Sequence, residues 1–274
     1  MSNILIVHHG RCTDGWCSAW IAKKVFPDAQ FHAAQFGEMP PDVTNKEVFI
    51  LDFSYKRQVM LFLNYKAKSL TVLDHHKTAL KDLEGLPFCI FDMERSGAGL
   101  TWNYFNHFNY PGRNQFFDEP MPWVVQYVQD RDLGRHELPD TRQVNAVIAS
   151  YPFDFQMWDE LASKPLDEVR EEGKSILRYQ EQVANDLVSY AREVVFDGYN
   201  VLAVNTSIMN SDVGCKLAKD RPFGVVWFQR DDGKYIYSLR SCKDVGVDVE
   251  GIAHNHGGGG HKWCSGFVSD KQLV

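Results

Sequence analysis

Four short segments of this 274-residue chain gather the residue types that hold metal ions: HHGRCTDG (8–15), LDFS (51–54), LDHH (73–76) and VQDRD (128–132). Phosphoester hydrolysis by a pair of cations needs hard oxygen and imidazole ligands converging on ions about 3.5–4 Å apart. A carboxylate shared by both ions raises the Lewis acidity felt by a hydroxide between them. Singly, each segment also has an ordinary reading. An Asp that follows a strand, such as Asp52, is a common helix cap or turn residue. His8 and His9 suit a polar strand end, Asp130 and Asp132 a solvated helix end, and a triplet such as Asp74-His75-His76 arises readily by chance. It is their joint occurrence, at the ends of successive elements, that points to a metal centre.

The elements between these segments are of a kind that would bring them together. Apolar runs of strand length cover 4–7, 48–51, 70–73 and 88–91, with helix-like stretches at 15–25, 56–65 and 98–108. Strand–helix alternation at this spacing predicts βαβ units and a mostly parallel sheet covered on both faces. In open α/β sheets ligands bind outside the carboxyl ends of the strands, and the runs FILD and TVLD each end in a carboxylate there. The clearest helix is 166–194, where Val169, Gly173, Ile176, Leu177, Gln180, Val183, Leu187 and Ala191 recur at spacings of three and four. A second α/β stretch follows, with strands predicted at 200–205, 223–229, 235–241 and 263–268 and short helices at 212–219 and 248–254. The fold class read from this pattern is α/β. A mostly parallel-sheet domain is expected over 1–150, a helical connector over 151–195 and a smaller α/β domain over 196–274.

Composition sets the boundaries of the functional reading. Hydrophobic content of 44% and charged content of 24% are those of a globular protein. No apolar run approaches the ~20 residues that span a bilayer, so no membrane partner is expected. The opening MSNILIVHHG reads as a strand and not a leader peptide, giving a cytoplasmic expectation. Six cysteines (12, 17, 89, 215, 242 and 264) form no C-x-x-C pair, which argues for reduced thiols. A net charge of −7 is unlike the basic field of proteins that hold long duplex nucleic acid.

The ordered set resembles the DHH phosphoesterase superfamily, named for the motif that Asp74-His75-His76 matches. The resemblance covers most of the chain and extends to a C-terminal DHHA1-type domain through SLRS (238–241) and GGGGHKWCSGF (257–267), the most specific signal. In that family the first motif is His, three residues, Asp, one residue, Asp. Here His8, Cys12 and Asp14 occupy those places. The resemblance implies that His8 and Cys12 face one metal, Asp14 and His75 the other, and that Asp52 bridges. Asp130 completes the second site, with Asp132 the alternative, and His9 replaces His8 if the strand end is offset by one. His76 is implied to contact the scissile phosphate and Asp74 to orient its histidine neighbours. Cys12 departs from the family pattern: as a thiolate it would favour softer metals such as zinc, iron or cobalt. Three outcomes stay open for it, namely ligation, lining the site without ligating, or loss of the first metal.

For the C-terminal half the resemblance implies phosphate recognition. Gly258, Gly259 and Gly260 let backbone N–H groups approach an anion, while Arg240 and His261 add charged donors. Asn205 and Ser211 are further candidates to line the substrate site. The segment from Glu94 to Gly99 is expected to cap and pack a buried helix. The implied chemistry is in-line attack on phosphorus by a hydroxide held between two divalent ions, Mn²⁺ by expectation. The implied substrate is a short oligonucleotide or a small nucleotide. A catalytically silent nucleotide-binding protein is the alternative, as is hydrolysis of another small phosphoester such as a cyclic dinucleotide or 3′-phosphoadenosine 5′-phosphate. Exposed aromatics leave room for a homodimer.

Overall fold

A computed structural model describes residues 3–107, 115–118, 120–242 and 246–274. Its contacts divide the chain into two compact units, 1–177 and 178–274. In chain order the first unit holds β1 (Ile4–His9), α1 (Thr13–Val25), β2 (Gln30–Ala34), β3 (Glu47–Leu51), α2 (Arg57–Lys66), β4 (Ser69–Asp74) and α3 (Lys77–Asp82). It continues with β5 (Cys89–Phe91), α4 (Gly97–His107), α5 (Trp123–Asp132), α6 (Thr141–Ser150) and α7 (Phe155–Ser163), and then α8 (Leu166–Ser189), in which the division falls. Residue 108, the last expected for the third helix, lies outside the described residues.

The first sheet has the order β2-β1-β3-β4-β5, with every pairing parallel. The fold class is therefore α/β, as the strand–helix alternation implies. Alternate side chains along the strands feed two cores. Ile6, Phe49, Leu51 and Leu73 pack with α1, α4 and α5 on one face, while Leu5, Val7, Val48, Ile50 and Val72 pack with α2 on the other. The chain leaves β1 to β2 on one side and returns to β3 on the other. A crevice therefore opens at the carboxyl ends of β1 and β3, the topological switch point.

In the second unit follow β6 (Arg192–Phe196), β7 (Tyr199–Asn205), α9 (Asn210–Leu217), β8 (Gly224–Gln229), β9 (Tyr235–Arg240), α10 (Val249–Asn255), β10 (Gly259–His261) and β11 (Cys264–Ser269). Their sheet runs β10-β11-β9-β8-β7-β6, with β7 and β8 parallel and the other pairs antiparallel. The helix expected to reach 194 ends at Ser189. After Tyr190 and Ala191, residues 192–196 (REVVF) pair as an edge strand with β7, because β-branched Val194 and Val195 favour the sheet once a partner strand is present. No helix among the described residues is long and apolar enough to cross a membrane.

Candidate metal centre

The site is assembled at the switch point from the ends of β1, β3 and β4, the first turns of α1 and α4 and the last turn of α5. Gly15, in the first turn of α1, lets that helix press against β1: a Cβ there would lie 2.3 Å from the His9 carbonyl oxygen. Gly97 does the same for α4, where a Cβ would lie 2.4 Å from Asp52 Cβ. Asp52 itself adopts a left-handed backbone with φ 55°, which Asp tolerates better than most side chains. Its amide donates to the Leu73 carbonyl at 2.8 Å, so the turn after β3 is pinned to β4.

Around His75 Nε2 three carboxylates converge. Asp52 Oδ1 lies at 3.1 Å, Asp132 Oδ2 at 3.5 Å and Asp14 Oδ2 at 3.7 Å. The other oxygen of Asp52 faces a second group: Cys12 Sγ donates to Asp52 Oδ2 at 3.5 Å, and His9 Nδ1 lies 3.4 Å from it. His9 Nδ1 is buried and makes no hydrogen bond. Ligand atoms of His9, Cys12 and Asp52 all lie within 4.8 Å of one another, as do those of Asp14, His75 and Asp132, and those of Asp52, His75 and His76.

Such crowding has an electrostatic cost. Burial pushes the Asp14 carboxyl well above its ordinary range, and the charges of Asp52 and Asp132 add to that shift. Asp132 is raised by burial and by Asp52. Burial would also raise Asp52, but the hydrogen bond from His75 and the neighbouring His9 ring hold it well below the usual carboxylate range. Burial lowers His75, yet the Asp52 hydrogen bond and the charges of Asp14 and Asp52 outweigh it and push the ring up to about 10. The Cys12 thiol is driven well above its ordinary value by burial and by the carboxylates of Asp52 and Asp14. Excess negative charge, an orphaned imidazole nitrogen and a mixed oxygen, nitrogen and sulfur donor set together fit divalent cations.

A surrounding frame fixes these groups. Asp74, fully buried, accepts from Ser54 Oγ at 2.5 Å and from the His75 and His76 amides at 2.7 and 3.2 Å, and its Oδ1 lies 2.6 Å from His76 Nδ1. Asp14 accepts from Ser96 Oγ at 2.7 Å and from the Gly97 and Ala98 amides at 2.6 and 3.0 Å, at the start of α4. Ser96 Oγ in turn accepts from the Gly99 amide at 3.2 Å. The segment before α4 therefore both caps that helix and orients Asp14.

Of the expected ligands, the structure brings together Cys12, Asp14, Asp52 and His75; it does not bring in His8 or Asp130. Side chains alternate along β1, so His8 shares the α1 face with Ile6 and packs edge-on against Trp16 at 5.7 Å. Burial lowers its pKa to about 4. His9 takes its place on the opposite face. Residues two apart on a helix point ~200° apart, so Asp130 and Asp132 cannot both face the cluster. Asp130 is clamped instead by the amides of Glu137 (2.9 Å) and Leu138 (3.4 Å) and by Thr141 Oγ1 at 2.7 Å. Helical phase was a usable signal here, because Val124, Val128 and Asp132 are spaced by four.

In the second unit Arg240 Nη2 donates to Ser211 Oγ at 2.9 Å. Gly214 leaves room for that arginine, since a Cβ there would lie 2.6 Å from Arg240 Cγ. Arg240 and His261 are both register partners of Cys264, so they share one end of the sheet. Asn205 pairs with Trp227, three residues along β8 from the Gly224 that pairs with Arg240. Of the expected loop glycines, a Cβ on Gly258 or Gly260 would strike β11 at 2.2 Å (Gly266 O) or 2.5 Å (Cys264 O), whereas Gly259 meets nothing within 4 Å. Packing alone thus explains two of the three.

An uncharacterized protein of Acanthamoeba polyphaga mimivirus is 31% identical to this chain over 292 residues, an alignment covering 96% of the chain and 67% of the viral protein. The chain belongs to that protein's family. No family model matches the sequence. Among solved structures the chain is similar to a pGpG-specific phosphodiesterase, PggH from Vibrio cholerae, with a TM-score of 0.54 at 13% identity over 97% of this chain and 92% of that one. It is also similar to RecJ from Thermus thermophilus, solved in complex with Mn²⁺, with a TM-score of 0.50 at 13% identity over 97% of this chain and 49% of that one. These likenesses show a DHH-like fold.

Proposed function

We propose that this protein is a metal-dependent phosphohydrolase that cleaves phosphoester bonds of short oligonucleotides or small nucleotides. The observation that carries the reading is the convergence of Asp14, Asp52 and Asp132 on His75, with Asp52 turning its second oxygen to His9 and Cys12. Two groups sharing one carboxylate are the donor pattern of a two-cation site. We assign His9, Cys12 and Asp52 to one ion, and Asp14, His75, Asp132 and Asp52 to the other, with Mn²⁺ as the ion for both. When bound there, divalent cations supply Lewis acidity and a nucleophilic water at neutral pH.

The chain's own residues then bind and orient the substrate. His76, held at Nδ1 by Asp74, is assigned to the scissile phosphate, and Asp74 is its positioning residue. Arg240 and His261, with the open backbone at Gly259, are assigned to phosphate recognition in the second unit. The fold is shared with a phosphodiesterase described as specific for the dinucleotide pGpG, which supports a small nucleotide substrate. A binding-only protein is the second reading. It would follow if Cys12, whose thiol burial and the adjacent carboxylates push well above its ordinary value, does not ligate.

The test is incubation of purified protein with Mn²⁺ and a 5′-phosphorylated RNA dinucleotide, with mononucleotide release followed by chromatography and Asp14→Asn as control. Release that disappears in the variant is the expected result. Retained dinucleotide binding without release would favour the binding-only reading.

A further inference from the structure

Phe36 lies beside the metal centre and is left 67% exposed. Single exposed aromatics are ordinary, but this one is held in a fixed place. A tight turn carries it, with the Glu38 amide donating to the Gln35 carbonyl at 3.1 Å and Gly37 at φ 89°. One side of the ring leans on Phe53 at 4.9 Å, and Phe53 is itself buried and backed by Tyr55 at 4.9 Å. The ring meets His9 at 5.4 Å and His76 at 6.5 Å, nearly perpendicular to both. An apolar face is thus anchored from behind, open in front, and separated from the phosphate-directed histidine by a distance that a ribose can span.

We infer that Phe36 is a nucleobase-stacking subsite, which makes the preferred substrate class nucleoside phosphoesters and not pyrophosphate or other base-free phosphates. This inference rests on the phosphohydrolase reading for the place of the phosphate. Every base has a π-face, so a single phenyl platform tolerates any sequence. Binding would also cover the exposed ring, which is otherwise left in water beside polar ligands.

The experiment measures binding and hydrolysis separately on the full chain. Equilibrium dialysis gives the Kd of 5′-phosphorylated diadenylate in Ca²⁺, while AMP release is followed in Mn²⁺. Phe36→Ala is expected to raise Kd about five- to hundredfold, the range of base–aromatic stacking, and Phe36→Trp to restore it. A diribose phosphate of the same charge but without bases should bind wild type and Phe36→Ala equally. Mn²⁺ affinity should not change, which separates a lost platform from a disturbed metal site. An unchanged Kd in Phe36→Ala overturns the subsite, as does failure of the wild type to bind the dinucleotide. Binding that depends on Phe36 without AMP release would keep the subsite and contradict the hydrolase reading.

Discussion

The two units treat their charged residues in opposite ways. At the carboxyl edge of the parallel sheet, Asp14, Asp52 and Asp132 are crowded around one imidazole, and two of those three carboxyls are pushed upward by burial and mutual repulsion. At the Arg240 end of the second sheet the guanidinium has a hydroxyl and a carbonyl as partners, and no comparable crowding of carboxylates is seen among the described residues. Gathering like charges in a buried place is costly, and perturbed titratable groups of this kind cluster at functional sites. The first unit thus concentrates its perturbed groups at one sheet edge, which is what the metal reading rests on. The same contrast recurs on α5, where Asp130 is satisfied by three donors and Asp132 shares the His75 ring with Asp14 and Asp52.

That contrast can be broken most sharply on α5. On the proposed two-cation reading, Asp132→Asn is expected to lower kcat/KM by at least about a hundredfold with little loss of stability, because it would remove a ligand from a crowded site. Asp130→Asn should instead cost about 1.5–3 kcal/mol of stability through its lost charge-assisted bonds and leave Mn²⁺ affinity intact. Urea denaturation and Mn²⁺ titration of both variants give the check, and equal behaviour would erase the distinction. Next in size is Asp74→Asn, expected to reduce metal affinity or activity about 10–100-fold, the usual effect of removing a group that orients a ligand. Arg240→Lys should raise KM about tenfold and leave kcat nearly unchanged, since a lysine cannot grip phosphate through two bonds. A fall in kcat alone would contradict that assignment.

The smallest effect on activity belongs to His8, which should matter for stability instead. Its folded pKa, about 4, lies below the unfolded value near 6.5. The stability tied to its neutral form is therefore complete above pH 6.5 and is lost as pH falls towards 4, by up to about 3 kcal/mol. Denaturation midpoints of metal-free wild type and His8→Gln between pH 7 and 4.5 should converge as pH falls. Parallel curves would place the His8 ring in water.

Part of this grouping is legible in the sequence. The apolar runs before Asp52 and Asp74 mark parallel strands, and the resemblance names Cys12, Asp14 and His75, which the structure brings close together. The errors have physical causes. Ile4 and Ile6 are as apolar as Leu5 and Val7, so both faces of β1 are buried and alternation alone cannot say which of two adjacent histidines faces the crevice. The spacing from His8 to Cys12 selects His8, but strand alternation turns His8 to the α1 face and leaves His9 beside Asp52 and Cys12. Strand β2, QFHAA, carries polar residues at a sheet edge and lacks the apolar run that revealed its neighbours. Strand β6 continues the apolar spacing of α8 and reads as helix until its partner β7 is in view. Phe36 has no signature at all, since only the turn and the Phe53 behind it bring the ring to the histidines.

The most direct measurement is a Mn²⁺ titration of the chelator-treated protein, with free ion followed by electron paramagnetic resonance. Wild type is expected to bind two ions per chain with the spin coupling of a bridged pair, and Asp52→Asn to lose that coupling and bind at most one ion tightly. A wild type that takes up a single ion, or an Asp52→Asn variant that still holds a coupled pair, would contradict the shared-carboxylate centre.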